Sequence, residues 1–290
     1  MPELPEVETV KRGLNKLIIG RAVVSANSDN PRSFPNSPAD VQAFLVGASV
    51  TAVRRRAKVL MIDLSSGYTL VVHLKMTGQL VFVEDFSRFG AGHPNDSLIG
   101  NLPDKSTRVT IEFSDGSHLY FNDQRKFGWV RLMPTVEVPN IDFMKRVGPE
   151  PLEADFTAAQ FADRFKRRAR TTIKAALLDQ SVIAGVGNIY ADESLWGAKT
   201  HPSRLVGSIT NAEFKKLYTE VRAVMNLSID KGGSTNRNYV NAEGKKGSYM
   251  DFARVFRREG LECPRCGTEI VKIRVAGRGT HVCPACQVDK

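Results

Sequence analysis

Apolar positions along this chain follow two periods, with changes near residues 20 and 155. Val7, Val10, Leu14 and Leu17 fall on one face of a helix. Pro5 suits the first turn of that helix, where a missing N–H costs nothing, and Glu6 and Glu8 favour its positive end. From about 21 to 133 the period is that of strands. Short β-type runs occupy Val50–Val53, Val59–Leu64, Leu70–Leu74, Leu80–Val83, Val109–Phe113, Leu119–Phe121 and Trp129–Leu132, with turn signals at Ser65–Gly67 and Ser114–Gly116. Such strands predict an antiparallel sandwich. Residues 84–106 are rich in Gly, Pro, Asn and Asp and read as a long surface loop.

Pro134, Pro139, Pro149 and Pro151 punctuate a linker, and the pattern after it is helical. Thr157 and Gln160 have capping-box spacing before Phe161 and Phe165. Thr210 and Glu213 repeat it before Phe214, Leu217, Val221, Val224 and Met225, and Gly232 and Gly233 end that helix. A glycine turn, Gly185 to Asn188, opens a helical run from Ile189 to Trp196. The reading is an α+β chain in two domains: a sandwich with a leading helix over 1–133, a linker over 134–152, a helical domain over 153–256, and a last module over 257–290.

The chain has 290 residues, of which 42% are hydrophobic and 25% charged. That composition is enough for a real core and excludes a disordered protein. No run nears the ~20 apolar residues of a membrane span. The acidic, proline-punctuated start is unlike a signal peptide, so a soluble, cytoplasmic protein is expected. The net charge of +10 is uneven. Residues 1–150 hold 18 basic against 16 acidic side chains, and residues 151–290 hold 23 against 15. A polyanion suits the second half; a merely solubilising surface remains open on charge alone.

All four cysteines lie in the last 28 residues, spaced C-x2-C-x16-C-x2-C at Cys263, Cys266, Cys283 and Cys286. Without a secretory signal two disulfides are a poor reading. The spacing fits one tetrahedral zinc ion, with each pair presenting two thiolates from a tight turn.

Other segments carry candidate chemistry, each with a bland alternative. Pro2 follows Met1 and is small enough for Met1 to be removed, leaving a secondary amine. A chain α-amine has pKa ~7.7–8.0, so more of it is unprotonated at neutral pH than of lysine. Amines attack carbonyl-like carbons, and a proline amine would give an iminium, with Glu3 beside it as a proton donor or acceptor. Many chains begin Met-Pro for no chemical reason. The Gly185–Glu193 segment offers backbone N–H groups and Asn188 to a phosphate, or is simply a packing turn. Residues 269–282 read as a hairpin with Arg278 at its tip, aimed at a phosphate or only solvated. Phe127, in the charged loop after Asn122, is a DNA wedge or a cap on the core. Lys58, after Arg54, Arg55 and Arg56, projects into a groove or lies on a solvated face.

Together these residues resemble the bacterial formamidopyrimidine-DNA glycosylase family. The resemblance rests on residues 1–9, 55–58, 73–78, 125–128, 148–152, 185–193 and the cysteine module, in that order along the chain. It implies a helix–two-turns–helix domain and a zinc-finger hairpin after the sandwich. It also implies a base-excision repair glycosylase with AP lyase activity, removing oxidised purines such as 8-oxoguanine and formamidopyrimidines from duplex DNA. On that resemblance Pro2 is the Schiff-base nucleophile and Glu3 the proton donor. Glu6 is a second carboxylate, positional rather than chemical. Lys58 donates a proton in β-elimination, and Arg278 in δ-elimination as well as holding a phosphate. Asn188 binds phosphate. Met76, Arg125 and Phe127 fill the space left by a flipped nucleotide, and His73 stands near them in a structural or DNA-contact role. Residues 233–249 match a loop that closes over the flipped base. One structural Zn2+ per chain, double-stranded DNA as partner and a monomer follow.

The chain departs from the family pattern at Lys75, at Lys105–Arg108, at Gln124 and in the length of 84–106. Two other readings compete: an endonuclease VIII-like relative acting on oxidised pyrimidines, and an inert zinc-containing DNA-binding protein. Leu4 and the Arg125–Phe127 segment weigh against the first. Pro2, Glu3 and Lys58 together weigh against the second.

Overall fold

The computed structural model describes residues 2–85, 87–93, 95–234 and 249–289. Most of the 233–249 segment, and Met1, lie outside them. Two compact units divide the chain: Met1–Lys145 with Lys231–Ser248, and Arg146–Asp230 with Tyr249–Lys290. No helix among the described residues is long and apolar enough to cross a membrane.

The first unit opens with α1 (Leu4–Leu17). There follow β1 (Val23–Ser28), α2 (Pro38–Phe44), β2 (Val50–Arg56), β3 (Val59–Leu64), β4 (Tyr68–His73), β5 (Gly78–Glu84), β6 (Ser87–Gly92), β7 (Thr107–Phe113), β8 (His118–Asp123), β9 (Trp129–Pro134) and α3 (Asp142–Arg146). All pairings are antiparallel, in sheets ordered β1-β7-β8-β5-β6 and β2-β3-β4-β9. One core joins Leu60, Ile62 and Val72 of the second sheet to Leu80, Phe82 and Phe121 of the first, with Val7, Val10 and Leu14 of α1. This is the expected sandwich with its leading helix.

Residues 84–106 are not a plain surface loop. They hold β6 and a helical turn at Asp96–Leu98, and Phe89, Ala91 and Leu98 are buried. The glycines that suggested a loop instead permit close approach. A Cβ on Gly92 would stand 2.5 Å from the Gly78 carbonyl oxygen, and one on Gly90 would stand 3.0 Å from Leu98 Cδ2. Gly13 of α1 has the same function, because Phe89 lies against it. Gly13→Ala gains about 1 kcal/mol of helix propensity. Its Cβ, however, would sit 2.0 Å from Phe89 Cζ, and overpacking costs typically 1–3 kcal/mol. The expected result is a net loss of about 1 kcal/mol, read as a lower melting temperature; a rise would refute the packing argument.

The second unit contains α4 (Ala158–Lys166), α5 (Ile173–Leu178), α6 (Asn188–Gly197), α7 (Asn211–Asp230), β10 (Val271–Val275) and β11 (Arg278–Val282). Both capping boxes read from the sequence form. Thr157 N–H donates to Gln160 Oε1 at 2.7 Å, and Thr210 N–H to Glu213 Oε2 at 2.8 Å. Phe161 and Phe165 of α4 pack on Phe214 of α7. Glu193 of α6 accepts the N–H groups of Arg254, Val255 and Phe256, fixing the chain that leads into the last module. There Val255, Cys263, Ile270 and Cys283 bury Trp196.

Candidate nucleic-acid interface and metal centre

Glu3 is the N-cap of α1, and its side chain exchanges a capping box with Glu6. The Glu3 N–H donates to Glu6 Oε2 at 2.7 Å. The other Glu6 oxygen accepts the Ser234 N–H at 2.7 Å, so both serve backbone groups. Pro2 and Glu3 are buried directly ahead of the helix, where its dipole favours a carboxylate.

Glu8 faces the other way. It pairs with Arg55 Nε at 2.9 Å and Lys11 Nζ at 3.2 Å. Burial opposes its ionisation, but Arg55 and Lys11 outweigh it and hold the carboxyl below the usual range. Arg55 also donates to the Ala57 carbonyl at 3.0 Å, in the β2–β3 turn where Ala57 takes φ 52°. The pair therefore ties the start of α1 to the turn that presents Lys58, itself 6% exposed. Strand register sets His73 opposite Val59, next to Lys58. Burial first, then the charges of Lys75 and Lys58, push His73 down to about 3, so its ring is neutral at physiological pH. Its Nδ1 accepts the Lys75 N–H at 3.0 Å, which leaves the proton on Nε2.

Met76 lies in the β4–β5 connection, and Arg125 and Phe127 lie in the β8–β9 connection. Gly78 pairs with Asp123, so the two loops are neighbours. Met76 and Phe127 are large apolar side chains left exposed, and the Arg125 guanidinium stands 4.8 Å from the Phe127 ring centroid. Arg108, one of the departures from the family pattern, is buried; it donates to the Asp123 carbonyl at 3.0 Å.

In the second unit, Asn188 begins α6 and Arg278 begins β11. Ala276 and Gly277 form the hairpin turn, both at positive φ, as a two-residue type I′ turn requires. Asn188 Nδ2 donates to the Gly279 carbonyl at 3.0 Å, which brings the two candidate phosphate ligands together. Beneath them Lys174, fully buried, donates to Asp192 Oδ1 at 2.6 Å, to Thr280 Oγ1 at 2.7 Å and to the same Gly279 carbonyl at 3.2 Å. Asp192 Oδ2 in turn accepts the His281 N–H at 2.9 Å. Sequence reasoning missed Lys174 and Asp192. The signal was a lysine on the apolar face of a short helix, which demands a buried partner.

The ligand atoms of Cys263, Cys266, Cys283 and Cys286 all lie within 4.8 Å of one another. Sγ of Cys266 is 3.5 Å from those of Cys283 and Cys286, and Sγ of Cys263 is 4.0 Å from that of Cys286. Disulfide sulfurs stand about 2.05 Å apart. Four thiolates about 2.3 Å from one zinc ion stand roughly 3.8 Å apart, so this donor set fits zinc. Trp196 Nε1 donates to Cys263 Sγ at 3.4 Å, a hydrogen bond that favours a thiolate.

Three family models match in succession. The formamidopyrimidine-DNA glycosylase N-terminal domain covers residues 1–130, the H2TH domain of the same glycosylases covers 147–239, and a zinc finger found in FPG and IleRS covers 260–288. The chain belongs to the formamidopyrimidine-DNA glycosylase family. The formamidopyrimidine-DNA glycosylase of Desulforamulus reducens is 40% identical over the full length of both chains. That of Herpetosiphon aurantiacus is 43% identical over 99% of this chain and all of its own. Among solved structures, the Lactococcus lactis enzyme bound to DNA with an abasic site superposes with a TM-score of 0.86 at 34% identity, covering 99% of this chain and 100% of that one. The same scores hold for the wild-type L. lactis enzyme bound to DNA containing N7-benzyl-Fapy-dG. The two-domain α+β architecture, with antiparallel sheets and a four-cysteine finger, is that of the family.

Proposed function

We propose that this chain is a base-excision DNA glycosylase with AP lyase activity that removes oxidised purines from duplex DNA. The observation that carries the reading is the start of α1: a proline, buried with the carboxylate that caps the helix, at the position where Met1 removal frees a secondary amine. The names and DNA ligands of the relatives support the substrate class.

The Pro2 nitrogen attacks the sugar C1′, and the glycosidic electron pair leaves with the damaged base, which takes up a proton. Glu3 protonates the ring oxygen as the sugar opens, leaving an iminium between Pro2 and C1′. That cation draws electrons from the adjacent C2′–H bond, so a base removes the C2′ proton and the 3′ phosphate departs. A second elimination expels the 5′ phosphate. Lys58 and Arg278 are the proton donors of the two eliminations. Arg278 and Asn188 grip phosphate, and Met76, Arg125 and Phe127 occupy the space of the flipped nucleotide. His73, neutral and hydrogen-bonded to the Lys75 backbone, supports that loop. A zinc ion held by the four cysteines stabilises the finger and takes no part in the chemistry. The chain acts as a monomer in the cytoplasm.

The test is borohydride trapping on duplexes containing 8-oxoguanine, an abasic site or an oxidised pyrimidine. Reduction of the iminium should leave a covalent adduct, mapped by mass spectrometry to residue 2. No adduct with either 8-oxoguanine or abasic DNA would sink the lyase reading, and preference for the pyrimidine would move the substrate class. Binding should also weaken about tenfold or more between 50 and 200 mM salt, since each phosphate contact releases counterions. A flat salt response contradicts the phosphate assignments.

A further inference from the structure

The loops that carry Met76, Arg125 and Phe127 are fastened by a polar cluster that the proposed chemistry does not use. Asp123 ends β8 and is fully buried, yet it is an acid. Its Oδ1 accepts the Thr77 hydroxyl and, at 3.2 Å, the Arg125 N–H. Its Oδ2 accepts the Gly128 N–H at 2.6 Å. Thr77 Oγ1 also accepts the Arg125 N–H, at 3.1 Å. One carboxylate thus pins both ends of the 125–128 loop and, through Thr77, the residue next to Met76.

The main chain of Asp123 is held from below. Its N–H donates to the Ser106 carbonyl at 2.7 Å, and its carbonyl accepts Arg108 Nε. Arg108, 5% exposed, is braced in turn by Asp29 Oδ2 at 2.9 Å and the Lys105 carbonyl. There is no slack above the carboxylate. A Cβ on Gly128 would stand 2.7 Å from the Phe121 ring, and one on Gly78 would stand 2.3 Å from the Leu74 carbonyl oxygen. Burying a carboxylate is costly unless donors replace its water. The turn at Ser65–Gly67 has no carboxylate, and the one at Ser114–Gly116 uses an exposed Asp115, which accepts the Ser117 N–H at 3.0 Å without being buried. What distinguishes the 74–77 and 124–128 loops is that they hold exposed apolar side chains that must keep their aim.

We propose that Thr77 and Asp123 are positioning residues that lock Met76, Arg125 and Phe127 into one rigid wedge, with Arg108 as its brace. The proposal rests on the reading of those three as residues that replace a flipped nucleotide. A rigid wedge fills the stack as the base leaves; a loose one loses order on insertion and recovers less of the flipping cost.

The test compares excision of 8-oxoguanine paired with cytosine against 8-oxoguanine opposite an abasic nucleotide, where little pairing must be broken. Thr77→Val removes the hydroxyl and keeps the shape. The ratio of the paired to the unpaired rate should fall about tenfold, the equivalent of one lost hydrogen bond, and Thr77→Ser should restore it. Thr77→Ala serves the same comparison if the valine variant does not fold. A ratio equal to wild type, whether both rates fall together or neither does, overturns the proposal, as does a fall that serine fails to reverse. Wild-type protein that excises neither lesion would instead overturn the glycosylase reading.

Discussion

Pro2→Gly is expected to lower 8-oxoguanine excision on the order of a thousandfold, in line with the loss of a nucleophile from a covalent mechanism. The proline nitrogen carries two carbon substituents, so an adduct with the sugar would have no N–H to lose and would stay cationic until it is hydrolysed or eliminates. A glycine amine forms an adduct that can shed its proton to a neutral imine, a weaker electron sink. Glycine also releases the backbone angle that proline fixes, at a site where the next residue must cap α1. The measurement is single-turnover excision together with borohydride trapping. A chain with an N-terminal extension that cannot be removed keeps every side chain and blocks only the amine, and it should lose as much. Activity retained by the extended chain would refute Pro2 as nucleophile. Glu3→Gln separates the capping role of residue 3 from the proton transfer proposed for it: glutamine still caps the helix but cannot give up a proton, so excision should fall while the melting temperature holds.

Cys263→Ser, or removal of metal by a chelator, is expected to weaken DNA binding about a hundredfold. The last module is too small to fold on apolar burial alone. Of its buried apolar side chains, Cys263, Ile270 and Cys283 cluster with Val255 and with Trp196 of α6, and its sheet among the described residues is β10 with β11. A two-stranded sheet is marginal by itself, and small modules of this kind take their stability from metal binding. Without the ion the hairpin loses its shape, and Arg278 with it. The loss also reaches Asn188, whose side-chain amide is held by the Gly279 carbonyl. Zinc stoichiometry by mass spectrometry and fluorescence anisotropy with an abasic-site analogue check this together. Zinc-free protein that binds as tightly as the native chain would refute it.

The main outlines were legible where one force dominates. Val109, Ile111 and Phe113 alternate with Thr110 and Glu112 because one face of β7 packs on the core, and Thr157 with Gln160 marks a helix start because orphan N–H groups need acceptors. Reading failed where a residue type served a second purpose. β6 was hidden because Gly90 and Gly92 sit in it for close approach. β1, a Val-Val-Ser-Ala-Asn-Ser edge strand, has too little apolar alternation to register. α2 is seven residues long, and its one clear signal is the Ser37 cap on the Asp40 N–H. Within the candidate site, the pairs that act through space stayed invisible. Nothing in the sequence joins Glu8 to Arg55, Thr77 to Asp123, or Lys174 to Thr280, which is 106 positions away.

That last pairing gives the helices a dependence on the finger. Lys174 stands fully buried on α5, and two of its acceptors, Thr280 Oγ1 and the Gly279 carbonyl, belong to β11. Asp192 on α6 likewise has one oxygen filled by His281. If the hairpin comes away, a lysine and an aspartate remain in an apolar setting with half their partners gone, and water must enter to reach them. The influence of a metal held by the four cysteines would therefore not stop at their module. A cell short of zinc would make a protein whose helical domain is itself loosened from within, and protease cutting in α5 and α6 would report metal supply as directly as the cysteines do.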